Sequence, residues 1–589
     1  MGRRGVVTSG HYLATAAGFR IMEQGGTAID AAAAMCICLN LLEPHQCGLG
    51  GEVPTLIYSA ETGRTYAVSG VGWTPRAFTI DWCLEHDIDL IPGDGYLPAC
   101  VPAVVDTWAQ AVARFGTLTF AQVLAPAIEL AECGFPMYRV LHDHLTANRE
   151  TYTTRYPSSG EVYLPAGQVP EVGELFRNPD FAHVLRQICA AEESAKGRGR
   201  VAGIEAARDC FYQGETAARM AEFISGNPVV DASGSSHSGL LSYDDIAEWR
   251  ATVEEPIAYQ YRGLDVHKCP TWTQGPVFLQ QLAILEGYDL AAMGHNSVDY
   301  LHTWLECAKL AFADREAYYG DPRFDDVPFE VLLSKPYNDG RRALIGSSSS
   351  REMRPGDVGN GIPDYLTFDV RADNRRALGL DTPMPAGHEQ GGAHCGDTTQ
   401  LDAVDRLGNM VASTPSGGWI GSSPVVRGLG FPVGTRGQMF YLDSRRPNAL
   451  AGHKRPRATL TPTIVTRRGA PLMAFGTPGG DCQDQWTLQF FLNCIDFGMG
   501  LQEALDAPTV YSRHFPSSFY PREAAPAAVS AENRIPREVI ASLRQRGHEI
   551  TLDEGWTHGK VMGIRFDGER GVIRGACSAK GNIGYALGW

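Results

Sequence analysis

The sequence predicts an α/β sandwich in which helices cover two sheets, and three observations predict it. The front of the chain, to about residue 345, alternates strand and helix signals and then becomes mostly helical. A Gly-rich, polar stretch from Arg342 to Gly396 has the weakest hydrophobic pattern and reads as a mobile surface linker. Behind it begins a β-rich tail whose first residue is Thr398. With 589 residues, 44% of them apolar and 20% charged, the chain has material for one large two-layer core with insertions or for several domains. A formal net charge of -16 excludes the basic footprint that non-specific nucleic-acid binding requires.

In chain order, Val6 to Ser9 reads as a short strand and His11 to Met22 as a helix stopped by Gly25-Gly26. Ala28 to Leu42 is an Ala-rich, closely packed helix ending before Glu43-Pro44. The loop GLGGEVP, Gly48 to Pro54, leads into a hairpin turning at Thr62-Gly63. Ala121 to Cys133 is an amphipathic helix closed by Gly134, and Ser242 caps a helix with an acidic first turn. In the tail, strands on either side of Leu407-Gly408-Asn409 pair, as do two more around Gly469. Helices follow at Trp486 to Phe497 and Gln502 to Leu505.

The fourteen cysteines are scattered, with no C-x-x-C and no zinc-finger spacing, and Cys36 and Cys38 read as buried thiols. The longest apolar run, Ala31 to Leu42, is too short to span a bilayer, and the first residues carry no secretory pattern. A reduced, cytoplasmic setting is expected, with neither membrane nor nucleic acid as partner. His11, His45, His142, His144 and His394 are dispersed, so no metal set is expected. GLGGEVP lacks the Lys and Ser/Thr of a phosphate loop.

A threonine hydroxyl needs a base before it can attack, and a free α-amino group on the same residue can serve, its reference pKa lying near 8. Internal Thr398 gains that amine only if the bond after Asp397 is cut. Taken alone, Asp397-Thr398-Thr399 is an ordinary turn or strand edge. Other segments change its meaning. GGTAIDAAAA, LLEPHQCGLGG, GLLSYDDIAEWRATVEEPIAYQYRGLDVHKCP, AKLAFADREAYYGDPRF, DTTQLDAVDRLGNMVAS, GHKRPRATLTPTIV and FGTPGGDCQ occur in this order, and together the chain resembles the γ-glutamyltranspeptidase family over nearly its whole length.

The resemblance implies a four-layer αββα sandwich of the N-terminal-nucleophile hydrolase type, made from a self-cleaving precursor. It divides the chain into a large, mostly helical fragment 1–397 that contributes strands to the central sheets, with a flexible linker at about 342–397, and a small, β-rich fragment 398–589 with the nucleophile at its start. The two are expected to stay associated as a heterodimer that can itself dimerise. Thr398 takes the place of the nucleophile, Ser416 of the hydroxyl beside it, and Gly479 and Gly480 of the oxyanion-hole pair. The family's glutamyl clamp is largely missing. Its paired hydroxyls become Ala458 and Thr459, its substrate asparagine becomes Gly418, and its acidic residue falls at Phe440-Tyr441 beside Gln438. Its carboxylate-binding arginine is replaced by Gly70, Val71 and Gly72, with Arg76 displaced beyond the proline. Trp73, Trp419, Phe440, Tyr441, Arg427 and Arg436 are candidates to line the altered pocket, and Gln400 stands where the family usually has histidine.

These readings imply a hydrolase that forms an acyl ester on Thr398 and cleaves a small carboxylate-bearing, amide-like compound rather than glutathione, without a cofactor. Losing both ends of the glutamyl clamp would each cost several kcal/mol of binding. Carbon–carbon cleavage in an alkylproline-type natural-product pathway, γ-glutamyl or aminoacyl transfer, and an unprocessed binding protein are the alternatives. The last predicts one 63.9 kDa band, whereas processing predicts fragments of about 43 and 21 kDa by residue proportion.

Overall fold

The computed structural model describes residues 1–380, 398–580 and 584–589. At its centre two sheets face one another. The first has seven strands in the order Tyr585–Gly588, Gly5–Ser9, Leu401–Asp405, Met410–Ser413, Thr55–Ser59, Arg64–Val68 and Val253–Glu254. The second has six, in the order Val572–Cys577, Met562–Asp567, Ala470–Gly476, Thr463–Arg467, Leu264–Lys268 and Ile257–Tyr261.

Period-two alternation assigns each strand two apolar faces. Val6, Leu56, Val404, Met410 and Ala412 point between the sheets, where they meet Ile464, Ala474, Ile564 and Ile573. Val7, Ile57, Leu401, Ala403 and Val411 point outward beneath the helices Tyr12–Glu23, Ala28–Leu42 and Phe120–Cys133. On the far side Val266, Val465, Met473 and Phe475 pack under Pro276–Leu285, Val298–Tyr318 and Gln483–Ile495. The result is the αββα sandwich of the N-terminal-nucleophile hydrolases.

Helix Ala28–Leu42 is buried along its whole length. Alanine lets it lie close to the sheet, and Thr27 and Asp30 form a capping box that fixes its start. Asp30 also accepts from the backbone N–H groups of Thr117 and Leu118, tying down the loop before Phe120–Cys133. The helix ends at Glu43, whose carbonyl accepts from the N–H groups of Gln46 and Cys47. That turn aims the next residues at the start of the tail.

Residues on both sides of position 397 supply strands to both sheets. One expectation needs amendment. Part of the stretch expected to run free from Arg342 is docked. Helix Val370–Ala377 sends Arg371 and Arg375 to Asp89, each at 2.8 Å, and Asp373 pairs with buried Arg446. Its polarity serves ion pairs rather than solvent. The end of that stretch, including Asp397, lies outside the described residues. No described helix is long and apolar enough to cross a membrane.

Candidate active site

Thr398 precedes the strand Leu401–Asp405 and is almost completely buried. The strands Leu401–Asp405 and Met410–Ser413 pair with Leu401 opposite Ser413, and beyond that pair the Thr399 N–H donates to Pro415 O at 3.0 Å. Ser416 thereby arrives beside Thr398, and the two hydroxyl oxygens are 3.0 Å apart. The Thr398 backbone nitrogen donates to Gln46 Oε1 at 3.0 Å. Hydroxyl and nitrogen of one residue are each held by a separate partner, Ser416 buried and Gln46 half-buried.

Behind Ser416 stands an ion pair. Arg436 Nη2 donates to Ser416 Oγ at 2.8 Å, while Nε and Nη2 reach Glu52 Oε1 and Oε2 at 3.2 and 3.3 Å. Both side chains are nearly inaccessible, and burial raises the Glu52 carboxyl above its ordinary range while Arg436 opposes that shift. The backbone locks the arrangement. Glu52 N–H donates to Ser416 O at 2.8 Å, and Ser416 N–H donates to Glu52 O at 2.9 Å. Gly417, at φ 68°, leaves room for the carboxyl, since a Cβ there would lie 2.5 Å from Glu52 Cδ and overlap Oε2.

Gln400 explains itself in three contacts. Its Oε1 accepts from Thr414 Oγ1 at 2.7 Å, its Nε2 donates to Asp402 Oδ1 at 2.8 Å, and its amide fills the space above Gly476. Asp402 also accepts from Thr8 Oγ1 at 2.9 Å, and burial pushes its carboxyl up to about 8. Glu43 lies with Thr399 over Gly10, and burial pushes it up to about 7.

Gly476 ends its strand against Gln400, so the loop that follows lies near the start of the tail. Gly479 adopts φ 132° and packs on the Trp486 ring, and Gly480 opens the turn into helix Gln483–Ile495. Asp481 accepts from Ser518 N–H and Oγ, both at 2.7 Å, and pairs with Arg315. Against this loop opens a cavity of about 440 Å³, whose lining includes Gly479, Gly480, Tyr511, Phe519 and Tyr520, with Arg513 and Glu523 at exposed positions.

The residues expected to bind substrate are distributed unequally. Trp419 clusters with Met439 and Phe519, and the Arg436 guanidinium lies 5.5 Å from the Trp419 ring centre and 5.6 Å from that of Phe519. This forms an apolar wall near the nucleophile. Gly418, at φ 59°, packs against Gly50 and Gly51. Gln438 is a brace: its Nε2 donates to Gly93 O at 2.9 Å and its Oε1 accepts from Tyr520 N–H at 3.0 Å. Thr459 is buried, and its hydroxyl has no partner among the described residues.

Other candidates are engaged elsewhere. Arg436 is committed to Glu52 and Ser416 instead of standing free for a carboxylate. Tyr441 is wholly buried between Arg446 and Arg522, its hydroxyl bonded to Glu316. Arg427 forms an exposed pair with Glu161, and Arg76 pairs with Glu248 at the surface. Phe440 packs with Leu97 and Leu442. Trp73 stacks on His453 and donates to Asp245 O at 3.0 Å. Gln46 and Glu52 were not singled out from sequence, although both lie in the segment LLEPHQCGLGGEVP.

One described cluster has metal-ligand residue types: His302, Glu306 and His548. Its donors are already used. The two imidazoles are bonded to each other at 2.9 Å, and Glu306 pairs with Lys309 and Arg354.

The gamma-glutamyltranspeptidase family model matches residues 14–586. The chain belongs to that family. The glutathione hydrolase-like YwrD proenzyme of Bacillus subtilis (strain 168) is 30% identical over 593 residues, spanning 100% of this chain and 99% of that protein. Among solved structures, one described as LmbA2991HD is 41% identical with a TM-score of 0.90, covering 100% of this chain and 98% of its own. A cephalosporin acylase from Bacillus halodurans is 29% identical with a TM-score of 0.82, covering 100% and 96%. Within the gamma-glutamyltranspeptidase family, then, this chain is a hydrolase whose threonine nucleophile and fold fit the N-terminal-nucleophile pattern.

Proposed function

We propose that the protein cuts itself before Thr398 and then uses Thr398 as the nucleophile of a small-molecule acyl hydrolase. The supporting observation is the pair of contacts on one buried residue, Ser416 Oγ at 3.0 Å from its hydroxyl and Gln46 Oε1 at 3.0 Å from its nitrogen. In self-cleavage Thr398 Oγ1 attacks the carbonyl carbon of the preceding residue, the peptide C–N bond breaks, and the nitrogen leaves as the amine. Water then hydrolyses the resulting ester. The freed amine remains beside Gln46 and takes the hydroxyl proton in later turnovers.

In turnover Oγ1 adds to the substrate carbonyl, and the N–H groups of Gly479 and Gly480 hold the oxyanion. The leaving group departs with the proton, and water releases the acid. Fragments 1–397 and 398–589 remain one molecule because each sheet contains strands of both. The 440 Å³ cavity against Gly479 and Gly480 accepts the substrate, with aromatic rings on its walls and Arg513 available to a carboxylate. The altered clamp positions, with Tyr441 bonded to Glu316 and Arg76 at the surface, speak against a zwitterionic glutamyl group.

Intact mass with N-terminal sequencing of the purified protein, beside Thr398→Ala, tests the first step. A small fragment beginning Thr-Thr-Gln-Leu is expected from the wild type and a single uncut chain from the variant. A fragment beginning elsewhere overturns the proposal. A panel of carboxylate-bearing amides and β-dicarbonyl acids then separates C–N from C–C cleavage, and added amine acceptors separate hydrolysis from transfer.

A further inference from the structure

We infer that Arg436, held by Glu52, is a positioning residue that acts on Thr398 through Ser416. The inference rests on Thr398 being the nucleophile and adds a second tier to its machinery. A guanidinium carries donors only, so at the 2.8 Å contact Ser416 Oγ accepts. A hydroxyl that accepts from a cation is polarised and becomes a stronger donor. Its oxygen is 3.0 Å from Thr398 Oγ1. With Ser416 donating along that line, negative charge on Oγ1 is stabilised as the threonine gives up its proton and attacks.

The arrangement is built to hold. Glu52 takes Arg436 with two N–H···O contacts, which neutralises the buried cation and stops it from rotating away from Ser416. The residue that supplies the carboxylate is also bonded backbone to backbone with the residue that supplies the hydroxyl, in both directions. Carboxylate, guanidinium and hydroxyl are therefore one rigid unit, and Gly417 is the residue that leaves space for it. A purely structural ion pair has no need to end on the hydroxyl next to the nucleophile.

Self-cleavage supplies a test that needs no identified substrate, since the chain is its own. Time courses would be read on denaturing gels for wild type, Arg436→Gln, Arg436→Lys, and Glu52→Gln/Arg436→Met. The last removes both charges together, a change that buried pairs tolerate. Cleavage is expected to slow about 100-fold without the guanidinium, as when one hydrogen-bond donor to developing charge is lost, and to recover to within about 10-fold with lysine. Ser416→Ala/Arg436→Gln is expected to cleave no more slowly than Ser416→Ala alone, because the arginine acts through that serine.

On cleaved protein, phenylmethanesulfonyl fluoride is the probe. Thr398 Oγ1 bonds to sulfur, fluoride leaves, and the amine takes the proton, so intact mass follows the reaction. The maximal labelling rate is expected to fall with Arg436→Lys while the concentration for half-maximal rate stays the same. Wild-type cleavage rates in the variants that lack the guanidinium, or additive losses with Ser416→Ala, overturn the proposal. So does a change confined to the half-maximal concentration. Failure of wild-type cleavage before Thr398 overturns the parent reading instead.

Discussion

Gly417→Ala places a methyl group where the Glu52 carboxyl now sits, and its effect can be worked out from two terms. The first is conformational: a residue with a Cβ at φ 68° costs on the order of 1 kcal/mol. The second is a clash. The new Cβ would lie 2.5 Å from Glu52 Cδ and 2.8 Å from Oε1, so the carboxyl must leave. It then abandons Arg436, and breaking one side of a buried ion pair costs about 3–5 kcal/mol. The sum is about 4–6 kcal/mol, a large part of a typical domain's stability. Gly63 is the control. Its φ is 66°, yet nothing lies within 4 Å of its would-be Cβ, so Gly63→Ala incurs only the conformational term. Denaturant unfolding of the two variants, both in a Thr398→Ala background that keeps the chain whole, measures the difference. With Thr398 intact, Gly417→Ala is also expected to cleave slowly and Gly63→Ala normally. Equal stabilities, together with wild-type cleavage in Gly417→Ala, would refute the reasoning that the carboxyl fills that space.

Asp402 provides a pH test. Its folded pKa of about 8 lies above the ordinary 3.8, so the folded chain holds a proton that the unfolded chain releases. Stability from this group is present below about pH 4 and is lost as pH rises towards 8. Asp402→Asn should therefore flatten the fall in Tm between pH 5 and 8.5, and an unchanged slope would count against a protonated Asp402. Gly479→Ala adds a Cβ 3.0 Å from Trp486 Cε3 at φ 132°, displacing the proposed oxyanion donors. Self-cleavage and sulfonyl labelling should both fall about 10²- to 10³-fold, as for loss of an oxyanion donor. Phe519→Ala opens the wall beside Trp419 and Met439, so a panel of acyl esters should shift its preference toward bulkier groups; an unchanged preference would place the acyl group elsewhere.

The legible parts of the molecule were those written locally. The N-cap at Ser242, the turns at Gly63, Gly408 and Gly469, and the helix stopped at Gly134 each depend on a few adjacent residues. Thr398 and Ser416 were legible because they stand in strings long enough to show the family resemblance. Arg436 was visible as an arginine but not as a partner. Glu52 lies 384 residues away from it in sequence, and a buried pair across that separation has no periodic or compositional signature. Gln46 is 352 residues from Thr398 and was hidden in the same way. The polar stretch after Arg342 misled for a related reason, since charged residues that dock onto Asp89 and Arg446 have the composition of a linker.

The interleaving of strands from either side of position 397 gives the molecule a history. Before the cut, folding is a one-chain event whose odds do not depend on concentration. After the proposed cut before Thr398, the same two sheets belong to two polypeptides, and unfolding releases them as separate species. Recovery then becomes a second-order encounter between chains, each of which lacks strands required by both sheets. The mature protein would keep its shape through the height of its unfolding barrier rather than through a reversible equilibrium. Processing is thus a one-way step in folding as well as in chemistry.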